Sequence, residues 1–234
     1  MDSPAPFRSF GTLSLHMFAS VDAFPRELNI VSSVHRIDPV QATQEDGVRF
    51  GRTVIRVQCR NWTHAGFDVI VLPNNRRGLM GVNFTSGSRI DGGLEVEREA
   101  MAHAPLTLGT AITTGSGTLA RFGITSIVHA VVGDTLGDSP RELPLRQAVT
   151  AAMREIDVIK GRHIGIVPFG SGSMFERVDR SRSVPIMVEE IIGHLRRSSS
   201  RAESITFICN SESEMSEIGG LLERMRRDWW GLRV

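Results

Sequence analysis

A chain of 234 residues, 41% of them apolar, is long enough for one large α/β domain or two small ones and for a substantial core. Lys and Arg total 27 against 26 acids, a formal net charge of +1, so no bulk field recruits nucleic acid or an anionic membrane surface. The two cysteines, Cys59 and Cys209, have no metal-type or redox-type spacing and read as reduced thiols, while no basic leader or membrane-length apolar run occurs, so a soluble cytoplasmic protein is expected.

The first fifty residues stand apart from the rest. GTLSLHMF (11–18) and LNIVSSV (28–34) look like strands, but VDAFPREL and DPVQATQEDG interrupt them with turn signals. Residues 1–50 are therefore expected to form an extension packing on a main domain of residues 51–234. From there strand-like and helix-like segments alternate, the pattern of a sheet covered by helices on both faces. Strands are predicted at TVIRVQ (53–58), FDVIVL (67–72), ITSIVHAVV (124–132), HIGIVP (163–168) and SITFIC (204–209), with GTAIT (109–113) a weaker sixth.

A helix is predicted over LEVEREAMAHA (94–104), ending before Pro105. Leu145, Ala148, Val149, Ala152 and Ile156 form a stripe behind Pro144, which suits a first helical position. Val188, Ile191, Ile192 and Leu195 form another behind Pro185, with Arg196 and Arg197 at the negative end. The last helix opens on Ser211 and Glu214 at capping-box spacing and buries Met215, Ile218, Leu222 and Met225.

In helix-covered sheets a ligand sits beyond the carboxyl ends of the strands. Three such ends stand out: Pro73-Asn74-Asn75 leading into the loop RRGLMGVNFTSGSRIDGG, Pro168-Phe169 followed by Gly170-Ser171-Gly172-Ser173-Met174-Phe175, and Cys209-Asn210-Ser211 before the last helix. Glycine and serine there let backbone N–H groups approach a phosphate closely. Neither loop has the spacing of a P-loop or a dinucleotide fingerprint. His129, mid-strand in IVHAVV, reads as a satisfied core histidine. The other histidines have no metal-ligand spacing, and no nucleophile elbow exists, so no metal, cofactor or catalytic residue is assigned.

The order strand–Asn–Gly-containing loop–helix, then SIVHAVVGD, IGIVPFGSGSMF and SITFICNSE with its helix, resembles the macro domain family over roughly residues 50 to 225. The resemblance implies a three-layer α/β/α domain with a central mixed sheet that binds ADP-ribose or another adenine nucleotide. It puts Asn75 at the last Asn of the family's N-A-A-N, on the distal ribose, where an amide donates and accepts without adding charge beside a diphosphate. Asn74 reads as a turn residue. Gly170, Ser171 and Gly172 stand at the family's phosphate loop, flanked by Ser173 and Phe175. Gly81 lies in the first loop, and Asn61 replaces the acid that recognises the adenine amino group.

The departures point to a divergent member. Leu72 replaces the first Asn, Met80-Gly81-Val82-Asn83 replaces a four-glycine stretch, and Thr85 replaces the Asp of many hydrolytic members. The resemblance thus implies a binding module for a nucleotide or an ADP-ribosylated protein. An ADP-ribosyl hydrolase is the alternative, and an interaction or nucleic-acid module with a degenerate pocket is a third reading. The basic clusters at Arg76-Arg77, 177–182, 196–201 and 224–227 keep that third reading open, although nucleic acid is disfavoured by the net charge.

Overall fold

The computed structural model describes residues 47–59, 65–79, 85–134, 141–169 and 180–231, the side chains of 85–93, 180–181 and 228–231 excepted. Residues 1–46 of the expected N-terminal extension, with its strands at 11–18 and 28–34, lie outside the described residues. Strand β1 (Val48–Phe50) turns through Gly51-Arg52 into β2 (Thr53–Gln58), with Phe50 opposite Thr53. Gly51 has φ 63, which suits the first central position of a type II′ hairpin turn. Along the chain follow β3 (Val69–Asn75), α1 (Thr85–Ala102), β4 (Ala111–Gly115), a 3-10 helix (Gly117–Phe122), β5 (Ser126–Gly133), α2 (Glu142–Ile159), β6 (His163–Ile166), α3 (Arg180–Arg197), β7 (Ser204–Ile208) and α4 (Glu212–Gly231).

Among the described residues the sheet has seven strands in the order β1-β2-β7-β6-β3-β5-β4. The five inner strands are parallel, and β1 and β4 close the two edges antiparallel, so the sheet is mixed as expected. Strand alternation explains the layers. Val69 and Val71 of β3 join the cluster that buries α2, α3 and α4, whereas Ile70 and Leu72 join a smaller one with Val96 of α1 and Leu119 of the 3-10 helix. Helices on both faces make the architecture α/β/α. The methionines of the stripes are filler in this core: Met153 and Met187 are buried in the cluster, and the half-buried Met215 and Met225 pack against it.

Three boundaries differ from the sequence expectation. β3 continues two residues beyond Pro73, because its neighbour β6 has already ended: Val71 gives its carbonyl to Val167 N–H, and by alternation the N–H that Pro73 lacks would also point to that side. α1 begins at Thr85, inside the segment expected as a loop to Gly93. Its glycines weaken helix propensity by about 1 kcal/mol each, yet packing of buried Val96 and Ala100 holds the helix. α3 begins at Arg180, which leaves Pro185 inside the helix instead of at its start. The capping box at α4 also forms in altered shape: Ser211 Oγ accepts from Glu214 N–H, but the Glu214 carboxylate reaches Asn210 N–H.

Register brings the two cysteines side by side. Gln58 pairs with Ile208 and Cys209 N–H donates to Gln58 O, so Cys59 and Cys209 follow on adjacent strands, both as thiols packed into the same cluster. Their sequence separation concealed this.

Gly165 in β6 shows how tightly the α1 face is filled. A Cβ there would lie 2.7 Å from Ile70 Cδ1, 2.8 Å from Phe67 Cδ2 and 2.9 Å from Ile208 Cδ1. Gly165→Val should therefore lower stability by roughly 1–3 kcal/mol through overpacking, read as a lower midpoint in urea unfolding. An unchanged midpoint would mean that this face is loosely packed.

Candidate functional site

All five parallel strands end at one edge of the sheet, and β3, between β6 and β5, carries Pro73, Asn74 and Asn75 there buried. Register shifts between Asn74, opposite Val131, and Asn75, opposite Gly133. That bulge re-aims the strand end, as bulges beside functional sites do.

A polarised chain of hydrogen bonds holds it. His129 pairs with Leu72 on one side and Ile112 on the other, so Asn74 and Thr114 are its diagonal neighbours on the α1 face. Thr114 Oγ1 donates to Gly115 O (3.0 Å) and therefore accepts from His129 Nε2–H (2.9 Å). His129 Nδ1 then accepts from Asn74 Nδ2 (3.1 Å), and Asn74 Oδ1 accepts from Asn75 N–H (2.7 Å). Only the neutral Nε2–H tautomer satisfies every link. Complete burial, with the charge of nearby His103 adding, lowers the pKa of His129 to about 4. His129 is thus the satisfied core histidine expected. Asn74, expected to shape a turn, is instead the link between that histidine and the bulge, a role that appears only when β3 and β5 are paired.

Asn75 fixes the turn that leaves the strand. Its Nδ2 donates to Leu79 O (3.1 Å) and its Oδ1 accepts from Arg77 N–H (2.8 Å), while Gly78 N–H bonds Asn75 O. Gly78 is required twice over: its φ is 72, and a Cβ would meet Ala100 O of α1 at 2.7 Å. These bonds use half of the Asn75 amide's capacity, one N–H of two and one lone pair of two. Arg76 is held against Leu106 O (3.1 Å) and Asp134 (3.4 Å), so it braces the turn from the β4 side.

On the other side of β3, the last described residue after β6 is Phe169, 1% exposed. Its carbonyl accepts from Ser183 Oγ (2.7 Å), which ties the strand end to α3. Of the residues singled out in the sequence, Asn75 is thus placed at the edge. Asn61, Gly81, Gly170, Ser171, Gly172, Ser173 and Phe175 lie outside the described residues. Among the described residues no group of His, Cys, Asp or Glu could hold a metal ion, and no helix is long and apolar enough to cross a membrane.

Solved macrodomains share this architecture. A macrodomain of Oceanobacillus iheyensis with ADP has a TM-score of 0.67 at 17% identity, covering 78% of this chain and 96% of that one. A macrodomain of Trypanosoma brucei in complex with ADP-ribose has a TM-score of 0.61 at 18% identity, covering 74% and 72%. The chain has the macro domain fold. No protein-family model matches it. An uncharacterized protein of Aquifex aeolicus is 34% identical over 137 residues, 58% of this chain and 80% of that protein, and the chain belongs to the same family as that protein. An uncharacterized protein of Mycobacterium tuberculosis is 33% identical over 82 residues, 35% of this chain and 21% of that one.

The neutral imidazole makes stability pH-dependent with a definite sign. The unfolded chain protonates His129 near the ordinary value of about 6.5, the folded chain only near 4. The stability this site confers is complete above pH 6.5 and is lost as pH falls through 4, by roughly 3 kcal/mol in all. Urea unfolding at pH 7 and pH 4.5 should show that loss in the wild type and a clearly smaller one in His129→Gln. Equal losses in both proteins would remove His129 from the account.

Proposed function

We propose that the carboxyl edge of the sheet binds ADP-ribose or a related adenine nucleotide. Asn75, Gly81, Gly170, Ser171, Gly172, Ser173 and Phe175 would surround the ribose and diphosphate, and Asn61 would stand at the adenine amino group. The observation that carries the reading is the register of two adjacent strands. Val71 opposite Ile166 is the last pair of β3 and β6. Asn75 comes four residues after the first, and the GSGS segment begins four residues after the second. In sequence, a neutral amide and a run of small residues thus follow the last pair of two neighbouring strands at equal spacing, residue types suited to a sugar diphosphate. The Trypanosoma brucei macrodomain, of the same fold, is a complex with ADP-ribose, which supports the same ligand class. An ADP-ribosylated protein would present the same group.

Binding without rapid turnover is the reading for chemistry. Asn75 has no proton-accepting capacity at neutral pH, and Thr85 stands where hydrolytic members of the resembling family carry an acid. General-base help is worth about a hundredfold to ten-thousandfold, and Asp134, the described carboxylate beside this turn, is engaged with Arg76 and Arg141.

Asn75→Ala is a poor test by itself, because it also removes two turn bonds at a cost of about 1–3 kcal/mol. Gly172→Glu adds bulk and a repelling charge without touching them. Calorimetric titration with ADP-ribose should give saturable binding to the wild type and about tenfold weaker binding to a folded Gly172→Glu protein. Undiminished affinity would remove the loop from the site. Incubation with mono-ADP-ribosylated protein should give retention but little release, and rapid multiple-turnover release would overturn the binding-module reading.

A further inference from the structure

The opposite edge of the sheet, where the parallel strands begin, carries a separate and strongly charged feature. β2, β7 and β6 are consecutive neighbours, and the residues just before them are Arg52, Glu203 and Arg162. Lys160 and Arg201 flank this row, and the five side chains line a groove of about 480 Å³. Four cations face one carboxylate there, a local excess of three positive charges in a chain whose net charge is +1.

The carboxylate is already committed. Arg162 holds Glu203 through both Nε and Nη2. That hydrogen bond, with the charges of Arg162, His163 and Arg52 adding, keeps the Glu203 carboxyl below its ordinary range. Asp68, just before β3 at this edge, is engaged with the backbone: its two oxygens accept the N–H groups of Arg162 (2.9 Å) and His163 (2.8 Å). Arg52, Lys160 and Arg201 are all exposed and have no carboxylate of their own within salt-bridge reach among the described residues.

Two of these cations sit on defined turns. Arg52 occupies the two-residue hairpin turn beside Gly51. Lys160, the only lysine of the chain, is the αL cap of α2, with φ 59 and ψ 36, its N–H bonded to Asp157 O and Ile156 O. It is also the one residue other than glycine with positive φ among those described, in a conformation glycine adopts at lower cost.

We propose that this groove is a second anion site, distinct from the carboxyl edge, and that it takes a compact oligophosphate. Three cations from three separate loops around one small concavity match several phosphate charges in close succession better than a single carboxylate. A groove of this size suits a small molecule more than a polymer. All five lining residues are charged and none is aromatic, so nothing there stacks a base. Recognition is therefore of the phosphates alone, whether inorganic or carried by a nucleotide. Glu203 acts as an internal counter-ion that the ligand must partly displace.

The test is calorimetric titration of the full chain at low salt with tripolyphosphate, with a short DNA duplex and, in the Gly172→Glu protein so that the carboxyl edge does not contribute, with ATP. Tripolyphosphate and ATP should bind saturably and with similar affinity, weakening steeply as salt rises. Arg52→Glu/Arg201→Glu should weaken tripolyphosphate binding by about tenfold or more, whereas Glu203→Gln should strengthen it by about threefold. All of these positions are exposed, so each variant should keep the wild-type circular dichroism and melting temperature. Gly172→Glu, at the other edge, should leave tripolyphosphate binding unchanged, so the result is independent of the ADP-ribose reading. Absence of saturable binding would overturn the proposal. So would affinity insensitive to the charge changes here, ATP binding to the Gly172→Glu protein much tighter than tripolyphosphate, or duplex DNA as the only ligand bound.

Discussion

The hydrogen bond between Asn74 and the unprotonated nitrogen of His129 is the interaction on which the candidate site depends. It closes a directional chain from Gly115 O on the edge strand, through Thr114, His129 and Asn74, to the backbone of Asn75. Reversing any member leaves a buried donor facing a donor, or an acceptor facing an acceptor, and an unmet buried group costs about 1–3 kcal/mol. The chain therefore specifies one tautomer of the histidine, one orientation of the Asn74 amide and one position for the bulge. Asn75 can hold its turn against Arg77 and Leu79 because the strand beneath it is locked in this way.

That lock lies inside a sheet whose two ends have opposite characters. At the carboxyl edge β3 ends in two buried neutral amides, beside the exposed Arg77 and an Arg76 engaged with Leu106 O and Asp134. At the amino edge the residues before β2, β7 and β6 are charged, with cations in excess. A near-zero net charge conceals this separation, since the balance is struck over the whole chain and not over each surface. Neutral hydrogen-bonding groups can discriminate hydroxyls and bases, whereas clustered cations respond to charge density. The two edges are thus fitted to different parts of chemistry.

Much of the architecture was legible in the sequence because it rests on periodicity. β-branched runs marked the inner strands, and helical stripes marked α2, α3 and α4: of the expected stripe residues, Leu145, Ala148, Val149, Ala152, Ile156, Val188, Ile191, Ile192, Ile218 and Leu222 are buried, while Leu195, Met215 and Met225 are half-buried at the margin of the core. Boundaries were less legible where local preference and tertiary contact disagreed. Pro73 reads as a stop, but the strand passes through it since no partner needs its N–H. The glycines of the segment before Gly93 read as loop, but the helix they enter is held by Val96 and Ala100.

At the site, order along the chain pointed to the strand ends and to Asn75 as an amide poised at one of them. It could not assign Asn74, because the partner that gives Asn74 its role lies 55 residues away on another strand. Nor could it bring Cys59 beside Cys209, or Arg52 beside Arg162 and Arg201, since strands adjacent in the sheet are far apart in sequence. The sequence by itself determined which segments become strands and helices and which residue types stand at their ends, because period and turn chemistry are local. Only the tertiary structure decided which of those ends meet and which amides are spent on the fold. Strand order and register are set by burial summed over the whole sheet, and no single stretch of chain contains that sum.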